Sequence, residues 1–265
     1  MPIALKLNAS ARGGLPILAL EGVSDFGLDA FVTTRRGGVS AAPYDSLNLA
    51  THVGDNPDCV DENRRRVAAA LGLESSQLVT TSQVHGAVVN NVDEWAGEGL
   101  VGDSLVTSRH DVALAVMVAD CVPLLIVEAN GPTFALVHCG WRGLVKGIIA
   151  ATLARFAQPP TVHVVIGPHV SPARYEVGPE VAQHFLAVEG AVRGDVGGRD
   201  RLDLGVVAAH QLRHCGVPDA QITLCTDTTD DGGVFFSDRA QRPCGRFAVV
   251  ARSSNASARV QRSNS

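Results

Sequence analysis

The sequence is poor in charged and aromatic residues, and it lacks the signals of several protein classes. Of its 265 residues, 18% are charged and 5% aromatic, and the formal net charge is −5. The basic residues are scattered, which argues against a nucleic-acid or membrane-surface binder. No window approaches the roughly 18 apolar residues of a membrane-spanning helix. The opening stretch MPIALKLNASARGG lacks the apolar centre of a signal peptide, so we expect a cytoplasmic protein.

The cysteines also lack a familiar pattern, because no two of them form a C-x-x-C pair. They are spread singly over a chain that is long enough to bury a large core without disulfide bonds. In a reducing compartment we expect them to be free thiols or metal ligands, and most to be small buried side chains. The six are Cys59, Cys121, Cys139, Cys215, Cys225 and Cys244.

Apolar residues, in contrast, make up 46% of the chain, which is enough for one large core. Stretches with the period of a strand and stretches with the period of a helix are intermixed, which predicts an α/β fold. We expect one domain over residues 21–252, a weakly ordered segment over 1–20 and a disordered tail over 253–265. The predicted helices are DCVDENRRRVAAALGL, residues 141–156, a short helix near 179–187 and LDLGVVAAHQLRHCG.

The stretch ALVHCGWRGLVKGI changes from a strand to a helix at a corner that contains His138. The strand is predicted to form a hairpin with the run before it, because Asn130–Gly131 suits the favoured two-residue turn. That turn sets His138 opposite Pro123, with Cys121 diagonally across on the same face. Such diagonal neighbours have Cα atoms roughly 7–8 Å apart, so an imidazole and a thiolate there can share one ion.

A third metal ligand is predicted at His85, which follows an apolar run and precedes Gly86. Two histidines and one cysteine suit Zn²⁺, and three protein ligands leave a fourth position open, as in catalytic zinc sites. Copper can also bind such a set. The alternative is that both histidines are core residues with backbone partners and that Cys121 is an inert buried thiol.

A second histidine pair, His210 and His214, shares one face of a predicted helix. Zinc proteases with this spacing carry a glutamate beside the first histidine, whereas Gln211 stands there in this chain. We therefore interpret the pair as surface or helix-end residues.

A set of motifs is spread over nearly the whole chain: TRRGGVS, PYDSLNLATHVGDNPDCVDENRRR, SQVHG, ADCVPLLI, VHCGWRG, IGP, YEVGPEV, LDL, LCT, FFS and GR. Through these motifs the chain resembles the laccase-domain family, also called the YfiH-like multicopper polyphenol oxidoreductase family. The resemblance implies one α/β/β/α layered sandwich and a zinc-dependent enzyme that cleaves adenosine, guanosine, inosine and methylthioadenosine with inorganic phosphate and also deaminates adenosine. It implies metal ligands and catalytic residues at His85, Cys121 and His138, and substrate-binding residues at Asn48 and Arg64.

Neighbouring residues extend this hypothesis. Arg36 and Arg142 are further candidates for a phosphate-binding cation, and Asp120 for the hydrogen-bond acceptor of a ligating imidazole. Trp141 is predicted to fill the core at the corner. Cys139 stands where the family has alanine, and on a continuing strand it should point away from the metal and pack inside.

Three alternatives remain open from the sequence. A copper oxidoreductase acting on polyphenols is one, although the nine histidines contain no H-x-H pair, unlike multicopper oxidases. A metal-free cysteine hydrolase, with Cys121 as nucleophile and a role in peptidoglycan-precursor editing, is another. A non-enzymatic binding protein is the third. The expected partners are purine nucleosides and phosphate, without nucleic acid or membrane, and the expected assembly is a monomer or small homo-oligomer.

Overall fold

A computed structural model of the chain describes residues 2–97, 99–156, 161–194, 199–230 and 232–254. The helices are α1 (Pro57–Ala70), α2 (Trp141–Val145), α3 (Ile148–Leu153), α4 (Pro179–Ala182) and α5 (Leu204–His214). The strands are β1 (Ile3–Leu5), β2 (Asn8–Arg12), β3 (Leu15–Ala19), β4 (Leu28–Thr33), β5 (Leu78–Val79), β6 (Thr81–Ser82), β7 (Val89–Asn91), β8 (Leu100–Val101), β9 (Ser104–Thr107), β10 (Ala113–Val118), β11 (Val122–Glu128), β12 (Phe134–Cys139), β13 (Val162–Ile166), β14 (Glu176–Val177), β15 (Val192–Gly194), β16 (Asp200–Leu202), β17 (Ile222–Cys225) and β18 (Phe247–Ser253).

Two mixed sheets form the centre of the fold. One has seven strands in the order β1-β17-β13-β11-β12-β9-β7, and the other has six in the order β2-β3-β4-β18-β10-β5. Two smaller sheets, β14-β16-β15 and β6-β8, lie outside them. Among the described residues no helix has the length and apolar character needed to cross a membrane.

Three apolar clusters stack the sheets and helices into four layers. Leu124 and Ile126 of β11 contact α3 and α5 on the outer face of the seven-stranded sheet. Leu125 and Val127 point the other way and pack against the six-stranded sheet. The outer face of that sheet is covered by α1 through Val67 and its neighbours. The predicted α/β/β/α sandwich is therefore confirmed, and β11 is apolar at consecutive positions because both of its faces are buried.

The hairpin that carries the candidate site has the predicted register. Pro123 pairs with His138 across β11 and β12, and the Glu128 N–H donates to the Thr133 carbonyl at the end of the hairpin. Before β11 the chain leaves β10 of the other sheet through Asp120, whose φ is +90°. The chain therefore crosses from one sheet to the other immediately before Cys121.

The predicted helices DCVDENRRRVAAALGL and LDLGVVAAHQLRHCG are confirmed as α1 and α5, and Gly72 and Gly216 follow shortly after the helix ends with φ of +68° and +90°. The single helix predicted over 141–156 is instead divided into α2 and α3. Gly147 separates them with φ +81°, a conformation that a continuous helix cannot contain. The helix predicted near 179–187 is only the four-residue α4.

The N-terminal segment differs from the expectation of weak order over residues 1–20. It forms β1, β2 and β3, and Leu15 and Ile17 are buried against α1 and β4. These strands are specified by partners far along the chain, since β1 pairs with β17. In the expected tail, Ser253 still ends β18, and residues 255–265 lie outside the described residues. All six cysteines are free thiols.

Candidate metal centre

The structure brings together the three side chains that the sequence predicted as metal ligands. One donor atom each from His85, Cys121 and His138 lies within 4.8 Å of the others. Cys121 Sγ is 4.0 Å from His85 Nε2, and the two imidazole rings meet edge to face with centroids 4.7 Å apart. Zn–N bonds of about 2.0–2.1 Å and Zn–S bonds of about 2.3 Å place the donor atoms of a tetrahedral site about 3.3–3.6 Å apart. The donor set therefore fits a zinc ion after small side-chain movements.

The local backbone conformation at each of the three residues places its side chain at the candidate metal site. His138 lies on β12, and Cys121 follows the left-handed residue Asp120 at the crossing between sheets. His85 lies between β6 and β7 and itself has φ +54°, which is unusual for a residue with a side chain. Gly140 leaves room for two of them, since a Cβ there would lie 2.6 Å from His85 Cδ2 and 3.2 Å from Cys121 Sγ.

Asp103 is the hydrogen-bond acceptor that organises the site. Its side chain is fully buried at the start of β9, and its Oδ1 lies 2.8 Å from His138 Nδ1. The same carboxylate accepts the N–H groups of His85 and Gly86 at 2.9 and 2.7 Å. It thus fixes the backbone at one histidine and the ring of the other, leaving Nε2 of His138 directed at the site.

Asp120 was a candidate for this role, with a turn residue at the end of the strand as the alternative. The structure supports the turn, because Asp120 lies between β10 and β11 with φ +90° and, among the described residues, contacts no imidazole. The Asp120 carboxylate accepts the hydroxyls of Thr229 and Ser237 at 2.5 and 2.6 Å and the Arg239 N–H at 2.6 Å. Its role is to hold the segment that contains these residues over the cavity. Asp103 was missed because its only signal is one acidic residue before a short apolar strand. Its partners arrive from distant parts of the chain.

The electrostatics of the site favour a thiolate beside an imidazolium. Burial opposes the charge on Cys121, but His138 and His85 outweigh it and lower the pKa of the thiol to about 6. Burial likewise opposes the charge on His138, but Cys121 and Asp103 raise its pKa to about 9. A divalent cation bound here would take the place of the imidazolium proton as the positive partner of the thiolate, the form in which cysteine binds metals.

A cavity of about 320 Å³ opens from the three donor atoms. Its walls carry four arginines and two aromatic side chains, so the space beside the metal ligands is both positively charged and able to cover a flat ring. The lining residues that matter for this character are Trp141, Tyr175, Arg142, Arg239, Arg242, Arg246, Asp120, Asp238 and His52. Burial, followed by the charge of Arg246, lowers the pKa of His52, which keeps this imidazole neutral near pH 7.

Arg64 lines a second cavity, of about 310 Å³, that shares His52, Gln83 and Met117 with the first. The Arg64 guanidinium donates to the Leu49 carbonyl at 2.9 Å. It therefore reaches the neighbourhood of the candidate site but not the walls of the main cavity.

Asn48 lies outside both cavities. Its side chain is fully buried, donates to the Ala50 carbonyl and to Asp55, and accepts the N–H groups of Ala50 and Arg246. With these partners in place, the Asn48 amide holds the backbone of Arg246, which does line the main cavity.

The other predicted residues fall into two groups. Trp141 packs against the core, as predicted, but it also lines the main cavity. Cys139 points into the core, where burial raises its pKa. Arg36 is exposed at a separate surface pocket. His210 and His214 are exposed on α5 with stacked rings 6.5 Å apart, away from the metal centre.

Residues 29–253 match the family described as multi-copper polyphenol oxidoreductase laccase. A protein of Mycobacterium tuberculosis named purine nucleoside phosphorylase is 39% identical over 224 residues, covering 82% of this chain and 89% of that protein. The purine nucleoside phosphorylase YfiH of Escherichia coli is 38% identical over 229 residues, covering 84% and 92%.

Solved structures with the same fold cover almost the whole chain. The crystal structure of YlmD from Geobacillus stearothermophilus has a TM-score of 0.85 at 31% identity, over 94% of this chain and 99% of that one. A Bacillus licheniformis protein described as hypothetical protein YfiH has a TM-score of 0.83 at 28% identity, over 89% and 96%.

Proposed function

The chain belongs to the multi-copper polyphenol oxidoreductase laccase family, and from that premise we propose that it is a zinc-dependent purine nucleoside phosphorylase. The observation that carries the proposal is the set of His85, Cys121 and His138 at the end of a cavity rich in arginine. Relatives of nearly the same length are named purine nucleoside phosphorylases. The proposed substrates are adenosine, guanosine, inosine and methylthioadenosine, each with inorganic phosphate.

The proposed reaction replaces the base on C1′ of the ribose by phosphate. Positive charge develops on the sugar and negative charge on the departing purine, so the site has to hold an anion and a flat ring close together. The cavity arginines supply the positive charge, and the purine is proposed to lie in the same cavity, which Trp141 and Tyr175 border. Burial, more than the charges of Cys121 and Asp120, raises the pKa of Tyr175, so its phenol stays protonated and can donate a hydrogen bond to the base.

In this proposal some residues bind the metal ion and others hold the metal-binding side chains in position. His85, Cys121 and His138 hold the ion, and Asp103 keeps His138 in the tautomer that leaves Nε2 available. A zinc ion bound there supplies a Lewis acid with a position open to substrate or water, which also suits the deamination of adenosine. Arg64 and Asn48 are proposed as supporting residues, Arg64 at the adjoining cavity and Asn48 through Arg246.

Cys121→Ala tests the proposal. We expect the variant to remain folded and to lose both bound zinc and the release of hypoxanthine from inosine and phosphate. Chromatography of the products and metal analysis of protein purified without added metal provide the two measurements. The matched control is His210→Ala, which removes an exposed imidazole that does not line the main cavity and should leave both unchanged.

Three outcomes would decide against the proposal. An unaltered rate of inosine cleavage in Cys121→Ala would remove this site from the reaction. Wild-type turnover that survives removal of zinc but not alkylation of Cys121 would favour the cysteine hydrolase. The products from adenosine distinguish the two nucleoside reactions, because adenine reports phosphorolysis and inosine reports deamination. Copper in place of zinc, with oxidation of phenols, would favour the oxidoreductase.

We also propose that the protein acts in the cytoplasm as a monomer or small homo-oligomer. The free cysteines support a reducing compartment. The scattered basic residues support small-molecule partners rather than nucleic acid or a membrane surface.

A further inference from the structure

Two of the four arginines that line the main cavity have no acidic partner. Arg242 and Arg246 both pair with Asp238 at the rim. Within the described part of the chain, the guanidinium groups of Arg142 and Arg239 make no hydrogen bond and no ion pair. Each instead lies over an aromatic ring, with Arg142 4.3 Å from the centroid of Trp141 and Arg239 4.9 Å from that of Tyr175.

The aromatic rings hold these guanidinium groups in place without using their hydrogen-bond donors. A cation over a ring face is attracted by the ring quadrupole, while the N–H groups at its edge stay available. In contrast, an arginine that pairs with a carboxylate, as Arg242 does with Asp238, already uses some of its N–H donors. Arg142 and Arg239 are therefore the cavity cations that are ready to bind an anion.

Both groups face the same part of the cavity. Their charges act together on the Tyr175 hydroxyl, which also senses the thiolate of Cys121 and the carboxylate of Asp120. Arg142 follows the corner after His138, and Arg239 is held at its backbone by Asp120, next to Cys121 in the chain. The two unpaired arginines thus line the same cavity as the three metal ligands.

We propose that Arg142 and Arg239 form the binding site for the phosphate dianion that attacks the nucleoside. Two guanidinium groups match the double charge of the dianion, and their planar N–H groups suit its oxygens. This inference rests on the proposed function and deepens it by naming the residues that bind the second substrate. Arg64 and Arg36 are thereby excluded as the primary phosphate ligands.

The chemical step at this site balances without another reactant. A phosphate oxygen forms a bond to C1′ of the ribose as the bond from C1′ to N9 of the purine breaks. The electron pair of that bond leaves with the base, which takes up the proton that the hydrogen phosphate dianion loses as its oxygen bonds to C1′. The products are ribose 1-phosphate and the free base, and the arginines neutralise the phosphate before and during the transfer.

Steady-state kinetics of the zinc-loaded protein with inosine test the assignment. Arg142→Gln and Arg239→Gln should each raise the KM for phosphate about tenfold or more, because a hydrogen bond to a charged group is lost. The KM for inosine should stay within about twofold of the wild-type value, since the nucleoside contacts remain. Arg36→Gln, an exposed arginine at another pocket, is the matched control and should change neither constant. Equal increases in both KM values, or no change, would overturn the proposal.

Chemical protection tests binding without relying on turnover. Phenylglyoxal modifies accessible guanidinium groups, and peptide mass spectrometry locates the modified residues. We expect inorganic phosphate to protect Arg142 and Arg239 and not Arg36. Protection in a protein that fails to cleave inosine would contradict the proposed function and support the anion site. Absence of protection in an active enzyme would overturn the anion site alone.

Adenosine monophosphate distinguishes the two sources of a phosphoryl group. It carries the same dianion on the 5′ carbon of a nucleoside. If it protects both arginines where inorganic phosphate does not, the site binds nucleotides and its assignment to the co-substrate is wrong. If phosphate protects at concentrations near its KM, the assignment to the co-substrate is supported.

Discussion

At the scale of single residues, the candidate site depends on one position that has no functional group. Gly140 has φ −75°, which any residue adopts, so alanine there introduces no backbone strain. Its Cβ would nevertheless lie 2.6 Å from the ring of His85. We expect Gly140→Ala to displace that ring, to reduce zinc content and to lower the rate of inosine cleavage by about 10²-fold, as small misplacements at reacting centres do.

The measurements are zinc stoichiometry and turnover, with the unfolding midpoint as a check on the fold. Gly194→Ala is the matched control, because a Cβ there meets nothing within 4 Å. A Gly140→Ala protein that binds zinc as tightly as the wild type would show that His85 is not held at this position.

The metal ligands could be predicted from the sequence, whereas the residues that hold them in place could not. His85, Cys121 and His138 could be named because the hairpin turn relates two of them and the family motifs contain all three. Asp103 could not, since its partners lie on β12 and on the loop after β6. The partners of Asp120 could not be predicted for the same reason. Its position beside Cys121 in the chain does not fix the direction of its side chain, and with φ +90° the carboxylate contacts Thr229 and Ser237.

At the scale of elements, that segment is attached to the corner between β10 and β11 by one carboxylate. Asp120 accepts from Thr229, Ser237 and the backbone of Arg239, all at 2.6 Å or less. We expect Asp120→Asn to loosen the segment and to destabilise the fold by about 1–3 kcal/mol, since buried donors lose their charged acceptor. Hydrogen exchange should rise over residues 232–244, and the KM for phosphate should rise because Arg239 loses its anchor.

The control is a second substitution among the residues that hydrogen-bond to Asp120. Ser237→Ala removes one of the donors, and the double variant should be less destabilised than the sum of the two single variants if they act through one hydrogen bond. Additive losses would mean that Asp120 stabilises the fold independently of its hydrogen bond with Ser237.

Prediction succeeds for elements with local signals and fails for elements defined by distant partners. The ends of α1 and α5 follow from Gly72 and Gly216. The split between α2 and α3 depends on whether Gly147 adopts a positive φ, which its sequence neighbours do not determine. The strand β1 is paired to β17 from the opposite end of the chain, so its three residues carry no local signal of their own.

At the scale of the whole molecule, the candidate metal centre lies where the chain crosses from one large sheet to the other. Cys121 directly follows the connection from β10 of the six-stranded sheet to β11 of the seven-stranded sheet, while His138 is on β12 of the latter. His85 joins them from the loop between β6 and β7. An ion held by these residues therefore links segments that separate when the sandwich unfolds, so its binding free energy adds to the stability of the whole fold.

Removal of zinc should consequently lower the unfolding midpoint of the entire protein. A ligand present at 100 times its dissociation constant stabilises the native state by about 2.7 kcal/mol, provided that the unfolded chain does not bind it. For a chain of this size that corresponds to about 5–10 °C in the unfolding midpoint. Calorimetry with and without a chelator measures the shift, and Cys121→Ala, which lacks one ligand, should show none. A chelator effect of the same size in that variant would locate the stabilising ion elsewhere in the chain.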